Sequence, residues 1–296
     1  MTGHNHSPSD DASSRRIGLV FFLNLGFTIV ELIGGLLTNS TAILADAVHD
    51  LGDSLSLGSA WLLNRLGRKA ADREFTYGYR RLSLFGALIN GLVLVGGSLW
   101  VLSEAIPRLV DPVMPVTEGM LVLAVFGVAV NGFAAYRLSK GKSLNEKVLN
   151  WHLLEDVLGW LAVLIVSIIL QFVKWPILDP LLSIGFTLFI LVNVIRNLWA
   201  TGKIFFQAVP NIKLHHEIRQ TLLGVEHIHD IHHQHLWSLD GEHHVLTLHL
   251  VVQNSFPMHQ YSATKAAVAT ALEPYELSHT TVEIELEEEP CRDSLD

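Results

Sequence analysis

Charge is scarce in this chain of 296 residues. Asp, Glu, Lys and Arg make up 17% of it, against a hydrophobic share of 50%. A typical soluble domain carries about 25% charged residues, so the shortage excludes a disordered polypeptide and weighs against a soluble enzyme. Cysteine is nearly absent. Cys291 stands alone, which excludes an internal disulfide and a metal cluster built of thiolates. Basic residues are also missing where they would matter for nucleic acid. From Ala208 onward there are 4 Lys and Arg against 14 Asp and Glu, so the formal charge of −9 belongs to this tail. An acidic tail argues against a nucleic-acid partner.

Apolar runs, by contrast, are plentiful. Stretches of roughly the 20 residues that cross a bilayer recur over Ile17–Leu37, Ile43–Leu63, Leu82–Ile106, Met120–Leu138, Val148–Phe172 and Ile177–Ala200. Polar residues interrupt the second and fifth, which suits a helical bundle with a polar interior. Pro107, Pro112, Pro115 and Pro176 fall in the connections, where a missing N–H does no harm. Fourteen basic residues, from Arg15 and Arg16 through Arg80 and Arg81 to Arg196 and Lys203, lie on one side, and only Arg108 and Lys174 on the other. Cytoplasmic loops collect the bases, so both termini are expected in the cytoplasm, with the chain in the cell (inner) membrane. Ser14-Arg15-Arg16 resembles a twin-arginine export signal. However, Asn24 and Glu31 interrupt the run behind it and no small-residue cleavage site follows.

The second and fifth runs share a pattern. His49-Asp50-Leu51-Gly52-Asp53 and His152-Leu153-Leu154-Glu155-Asp156 each contain His-x-x-x-Asp. On a helix, residues four apart lie one turn from each other on the same face. Each pair therefore offers an imidazole nitrogen beside a carboxylate oxygen. Two pairs on facing helices supply the four N/O ligands of tetrahedral zinc, and two ionised aspartates cancel a divalent charge. Calcium or magnesium would ask for six or more oxygens. Asp46, one turn before His49, reads as a supporting partner or part of the path. Asp50 and Glu155 point about 100° away from the pairs. Glu31 and Glu104 are further intramembrane acids, and Asp179 reads as interfacial.

From about Ile212 the pattern is that of a small soluble domain. Lys213–Leu223 and His259–Leu272 read as helices; His229–Ser238, His243–Val252 and Thr280–Leu286 read as strands. Leu239-Asp240-Gly241-Glu242 is a hairpin turn. The order α-β-β-α-β predicts an α+β domain with helices on one sheet face. Strand parity sends Leu246, Leu248 and Leu250 one way and His249 the other, and it sets Val282, Ile284 and Leu286 opposite Glu283, Glu285 and Glu287. His249 can thus share a face with acids, near His232, His233 and His235. His4 and His6 sit in a polar N-terminal segment read as solvated.

These residues together resemble the cation diffusion facilitator transporters, in the branch of bacterial zinc/cadmium/cobalt exporters and eukaryotic zinc transporters. The likeness rests on Asn24-Leu25-Gly26-Phe27 with Glu31, and on Ala45-Asp46-Ala47-Val48-His49-Asp50-Leu51-Gly52-Asp53. It continues through Tyr77-Gly78-Tyr79-Arg80-Arg81, Asn90-Gly91, the second His-x-x-x-Asp and His235-Leu236-Trp237-Ser238. It implies a six-helix transmembrane domain over 17–206, after a cytoplasmic segment 1–16. A cytoplasmic metallochaperone-like domain over 207–296 would bind metal and form a homodimer. It implies export of Zn2+, with Cd2+ or Co2+ as further cargo, against protons through His49, Asp53, His152 and Asp156. It also implies a second metal site from His232 and His249 with an acid of the Glu285/Glu287 pair. The family's additional site between spans two and three is not expected, because Phe75 and Tyr79 stand where its histidines would be. Two other classes compete. A metal sensor could own the same intramembrane site. An intramembrane metallohydrolase would need an open position and a general base, and no His-Glu-x-x-His motif occurs.

Overall fold

The computed structural model describes residues 8–67, 69, 71–139, 144–253, 256–291 and 293, with side chains for all of these except 8–20, 57, 60–62, 64–67 and 144–149. His4 and His6, and the loop bases Arg68, Lys140 and Lys142, lie outside the described residues. The chain forms two compact units. One comprises Met1–Leu63 and Gly86–Leu198, the other Asn64–Phe85 and Trp199–Asp296.

The helices of the first unit are α1 (Pro8–Thr38), α2 (Thr41–Gly67), α3 (Leu82–Ala105), the short α4 (Pro107–Val110), α5 (Thr117–Ser139), α6 (Leu144–Phe172) and α7 (Leu178–Phe205); α2, α3 and α7 run on into the second unit. Among the described residues, α1 from Phe21, α3 with α4, α5, α6 from Asn150, and α7 are long and apolar enough to cross a membrane. With 27 residues α2 is also long enough. Its apolarity is broken by Asp46, Asp50 and Asp53, which follow one another within about two turns.

Large apolar side chains such as Ile33, Leu92, Val122, Leu158 and Phe189 are exposed, while Glu31, Asp46, Asp50 and Asp156 are buried. That inversion is what a helix bundle in lipid requires. Gly127 on α5 lets α6 come close, since a methyl group there would overlap the Trp160 indole ring. Asn39, at φ 54°, breaks α1 from α2. The start of α2 is then tied down by Asp179 of α7, whose carboxylate accepts from Ser40 Oγ (2.5 Å), Thr41 N and Oγ1 (2.8 Å each) and Ala42 N (3.3 Å). Asp179 is therefore a buried cap on a helix N-terminus. Glu104 is half-exposed beside Arg108, at 3.9 Å, near the end of α3.

The second unit holds α8 (Ile212–Leu223), β1 (Ile228–Ser238), β2 (His244–Val252), α9 (Tyr261–Leu272) and β3 (His279–Leu286). Asn211 caps α8 by accepting from Lys213 N and Leu214 N. The hairpin turn follows from Asp-Gly chemistry. Gly241 takes φ 103°, which a side chain would resist, and Asp240 accepts the amides of Glu242 (3.0 Å) and His243 (2.8 Å). Burial raises the Asp240 carboxyl pKa, but these bonds, with the His243 ring, outweigh it and hold the group below its ordinary value. The sheet order is β1-β2-β3, with β1 antiparallel and β3 parallel to β2. Ile218 and Leu222 of α8 and Val268 and Leu272 of α9 close over Ile231, Leu236, Leu246, Leu248 and Leu250. The leucine parity of β2 thus reads out as expected. Leu286, on the last rung of the ladder, is exposed instead.

Candidate metal centres

The i, i+4 spacing does what helix geometry demands. On α2, His49 and Asp53 share a face; on α6, His152 and Asp156 do. The four side chains meet, each offering one ligand atom within 4.8 Å of the others. His152 Nε2 lies 2.8 Å from Asp53 Oδ2 and 3.9 Å from Asp156 Oδ2. His49 Nε2 lies 3.5 Å from Asp53 Oδ2 and 3.7 Å from Asp156 Oδ1. Tetrahedral zinc with bonds of about 2.0–2.1 Å spaces its ligands about 3.3 Å apart, and these separations bracket that edge. Both Asp156 oxygens are sealed from solvent without a hydrogen bond. A buried carboxylate left like this costs several kcal/mol unless a cation or proton answers it. Asp156 is 2% exposed, His49 19% and Asp53 21%, so Asp156 is the more deeply buried of the two carboxylates. Phe186 backs the His49 ring edge-on at 5.7 Å.

A turn away, Glu31 of α1 meets Asp46 and Asp50 of α2, again with one oxygen each within 4.8 Å. Asp50 is turned from the His-Asp pair, as its angle foretells, and it finds Glu31, which helix spacing on α2 alone cannot reveal. Asp46 also packs near Gly159 of α6. Glu155 is exposed.

In the α+β unit, β2 and β3 bring His249 and Glu285 together, with His249 Nδ1 2.7 Å from Glu285 Oε1. The other carboxylate oxygen lies 2.8 Å from His232 Nε2 on β1, whose backbone pairs with His249. Glu287 lies elsewhere, 3.7 Å from His229 Nε2. A bulge between His232 and His235, with His233 at φ 46°, takes the neighbouring histidines out of simple alternation. Cys291 is the residue that strand reasoning missed. Its Sγ is 3.5 Å from His249 Nδ1, and it forms one ligand group with His232, His249 and Glu285.

Between α2 and α3 no histidine is present, and Asp72 is engaged otherwise. It accepts from the Tyr79 hydroxyl (2.6 Å) and from the amides of Phe75 (2.8 Å) and Glu74 (2.9 Å). The Tyr79 bond first, then the Phe75 amide, push its carboxyl down to about 2.

Residues 17–206 match the family model described as the cation efflux transmembrane domain, and residues 210–287 match that of the cation efflux protein cytoplasmic domain. The chain is 33% identical over 291 residues to a cadmium, cobalt and zinc/H(+)-K(+) antiporter of Bacillus subtilis, covering 96% of this chain and 92% of that protein. It is 32% identical over 297 residues to the zinc transporter ZitB of Escherichia coli, covering 97% and 93%. To the metal cation efflux system protein CzcD of Cupriavidus metallidurans it is 30% identical over 294 residues, covering 98% and 91%.

Proposed function

The chain belongs to the cation efflux family, and we propose that it carries Zn2+ out of the cytoplasm in exchange for protons, with His49, Asp53, His152 and Asp156 as the site that holds the ion in transit. It is a membrane transport protein and not an enzyme. The observation that carries the proposal is the convergence of two imidazoles and two carboxylates from α2 and α6 at near-tetrahedral spacing. Cd2+ and Co2+, which the Bacillus relative is named for, fit the same N/O donors less closely than zinc.

Exchange follows from charge. When the divalent ion leaves, two carboxylates and two imidazoles remain in a low-dielectric interior. Protons neutralise them, because metal and proton compete for the same lone pairs. An ordinary imidazole titrates near pH 6.5, within reach of an acidic exterior. Between one and four protons per zinc can therefore move inward, since four ligands accept them.

In this reading residues 17–206 form the transmembrane domain in the cell (inner) membrane. The segment 1–16 and the domain 207–296 face the cytoplasm, and two copies pair as a homodimer. The His232–His249–Glu285 cluster holds a resident ion in each copy. What a divalent ion would supply there is positive charge at two closely facing imidazoles and a buried carboxylate.

The test is zinc flux into proteoliposomes loaded with a pH-sensitive dye. An imposed proton gradient drives zinc accumulation in the wild-type chain and none in Asp53→Ala. Zinc movement without proton counter-movement would reject antiport, and binding without any flux would make the protein a sensor.

A further inference from the structure

We infer that Cys291 is a thiolate ligand of the C-terminal metal site, which makes that site a mixed one of two nitrogens, one oxygen and one sulfur. The inference rests on the reading of His232, His249 and Glu285 as a metal site and adds a donor that changes its chemistry.

Past Leu286 the chain does not continue outward. Glu287 N donates to Val252 O at 3.0 Å and Glu289 N to Leu286 O at 3.0 Å. The Glu289 carboxylate accepts from Leu286 N at 3.1 Å. This turn, followed by Pro290, brings Cys291 back over β2. Its sulfur sits 3.5 Å from His249 Nδ1. A zinc ion with bonds of about 2.3 Å to sulfur and about 2.0 Å to nitrogen spaces those two atoms about 3.5 Å apart.

The remaining donors are already gathered. His249 is 7% exposed and Glu285 5%, so neither can turn to water for a partner. The two Glu285 oxygens each face one imidazole, and the rings of His232 and His249 are 5.3 Å apart. His232 Nε2 is sealed from solvent and lies 2.8 Å from Glu285 Oε2 without a hydrogen bond. It is a buried polar atom aimed into the cluster and left over from it. On the far side of the ring, His249 Nε2 lies 3.6 Å from Asp293 Oδ2 and 3.9 Å from Glu283 Oε2. A carboxylate behind a ligating imidazole is the arrangement that fixes such a ring toward a metal.

The sulfur sets this site apart from the membrane centre, which has only nitrogen and oxygen donors. Thiolate favours softer ions, so the C-terminal site holds zinc, cadmium or cobalt firmly while excluding magnesium and calcium. On binding, the thiol proton leaves to solvent and the S–metal bond replaces the S–H bond.

Because Cys291 is the chain's sole cysteine, any thiolate signal belongs to it. The experiment uses the full-length chain in detergent carrying Asp53→Ala and Asp156→Ala, so that Co2+ reports the C-terminal site alone. We expect tetrahedral ligand-field bands in the visible together with a near-ultraviolet sulfur-to-cobalt charge-transfer band. Adding Cys291→Ser abolishes the near-ultraviolet band and leaves visible bands, and adding His249→Ala removes both. In the same background, Zn2+ slows alkylation of the thiol by about tenfold or more, since a metal-bound thiolate is a poor nucleophile. Visible bands without the charge-transfer band, or alkylation unaffected by zinc, would overturn the role of Cys291 and leave the His–Glu site standing. Loss of all cobalt bands in the double variant would overturn the site itself.

Discussion

The helical unit and the α+β unit differ in the charge they bury and the apolar surface they expose. In the first, Glu31, Asp46, Asp50, Asp156 and Asp179 are buried while leucines, isoleucines and phenylalanines face outward. In the second, Ile218, Leu236, Leu246, Leu248 and Leu250 form the interior and glutamates such as Glu226, Glu242 and Glu288 are exposed. The same physics gives both results. In water the apolar area removed from solvent stabilises the fold; in lipid that gain vanishes, and helices hold together by close packing and polar contacts. The proposed cargo ligands of the helical unit thus lie among buried ionisable groups, whereas the proposed metal site of the α+β unit lies on the sheet face opposite an apolar core.

The largest effects should come from removing charge in the membrane centre. Asp53→Ala or Asp156→Ala leaves three donors and half the balancing charge, and zinc uptake by proteoliposomes should fall to the empty-vesicle baseline. Circular dichroism of the same variants should show folded helices, because no apolar packing is lost. Wild-type-like flux in either variant would break the assignment.

In the α+β unit the vulnerable element is the apolar core. Leu248→Ala removes a fully buried side chain from the sheet core and should destabilise the α+β unit by about 2–5 kcal/mol. In a thermal melt its transition should move down while the helical signal of the membrane part persists. A single transition shifting as a whole would show that the two units unfold together.

How far the sequence spoke differs between the two regions for a definite reason. His49–Asp53 and His152–Asp156 are legible because helix periodicity places their side chains with no knowledge of the rest. Five of the six expected spans stand, among the described residues, as helices long and apolar enough to cross a membrane, whereas α2 has the length but three aspartates break its apolarity. The cap role of Asp179 was not legible, since its partners Ser40, Thr41 and Ala42 are 137 to 139 positions away, and nothing local marks a carboxylate as a cap for another helix. Nor could strand parity single out Glu285 from Glu287, because β3 ends at Leu286 and alternation stops with it. Cys291 lies beyond that end, in a turn whose direction no periodicity encodes. The bulge at His233 hid that two of the three clustered histidines, His232 and His233, set their rings 5.3 and 5.2 Å from that of His249.

A subtler substitution probes donor type. His49→Asp converts the centre to three carboxylates and one imidazole, and harder donors favour manganese over zinc. In competition flux assays the zinc preference should shrink, by about tenfold for each 1.4 kcal/mol of lost discrimination. Unchanged preference would place selectivity outside the four ligands.

The smallest effect is expected at Asp72. Its carboxyl is held down to about 2 by the Tyr79 hydroxyl and the Phe75 amide, below an ordinary value of about 3.9. A depressed carboxyl contributes order that is complete above its unfolded pKa and is lost as pH falls through its folded one. The protection factors of the Glu74 and Phe75 amides, relative to intrinsic exchange, should therefore hold at neutral pH and fall only between about pH 4 and 2. Asp72→Asn should remove that pH step. A step near neutrality would point to a different group.

The metal shell of the proposed membrane centre is the decisive quantity. X-ray absorption at the zinc edge can read it in the full-length chain carrying His232→Ala, His249→Ala and Cys291→Ser, loaded with one equivalent of Zn2+. Four light ligands are expected, two from imidazole and two from carboxylate, at about 2.0–2.2 Å and no sulfur. A six-coordinate shell of oxygens alone, or no bound zinc, would contradict this.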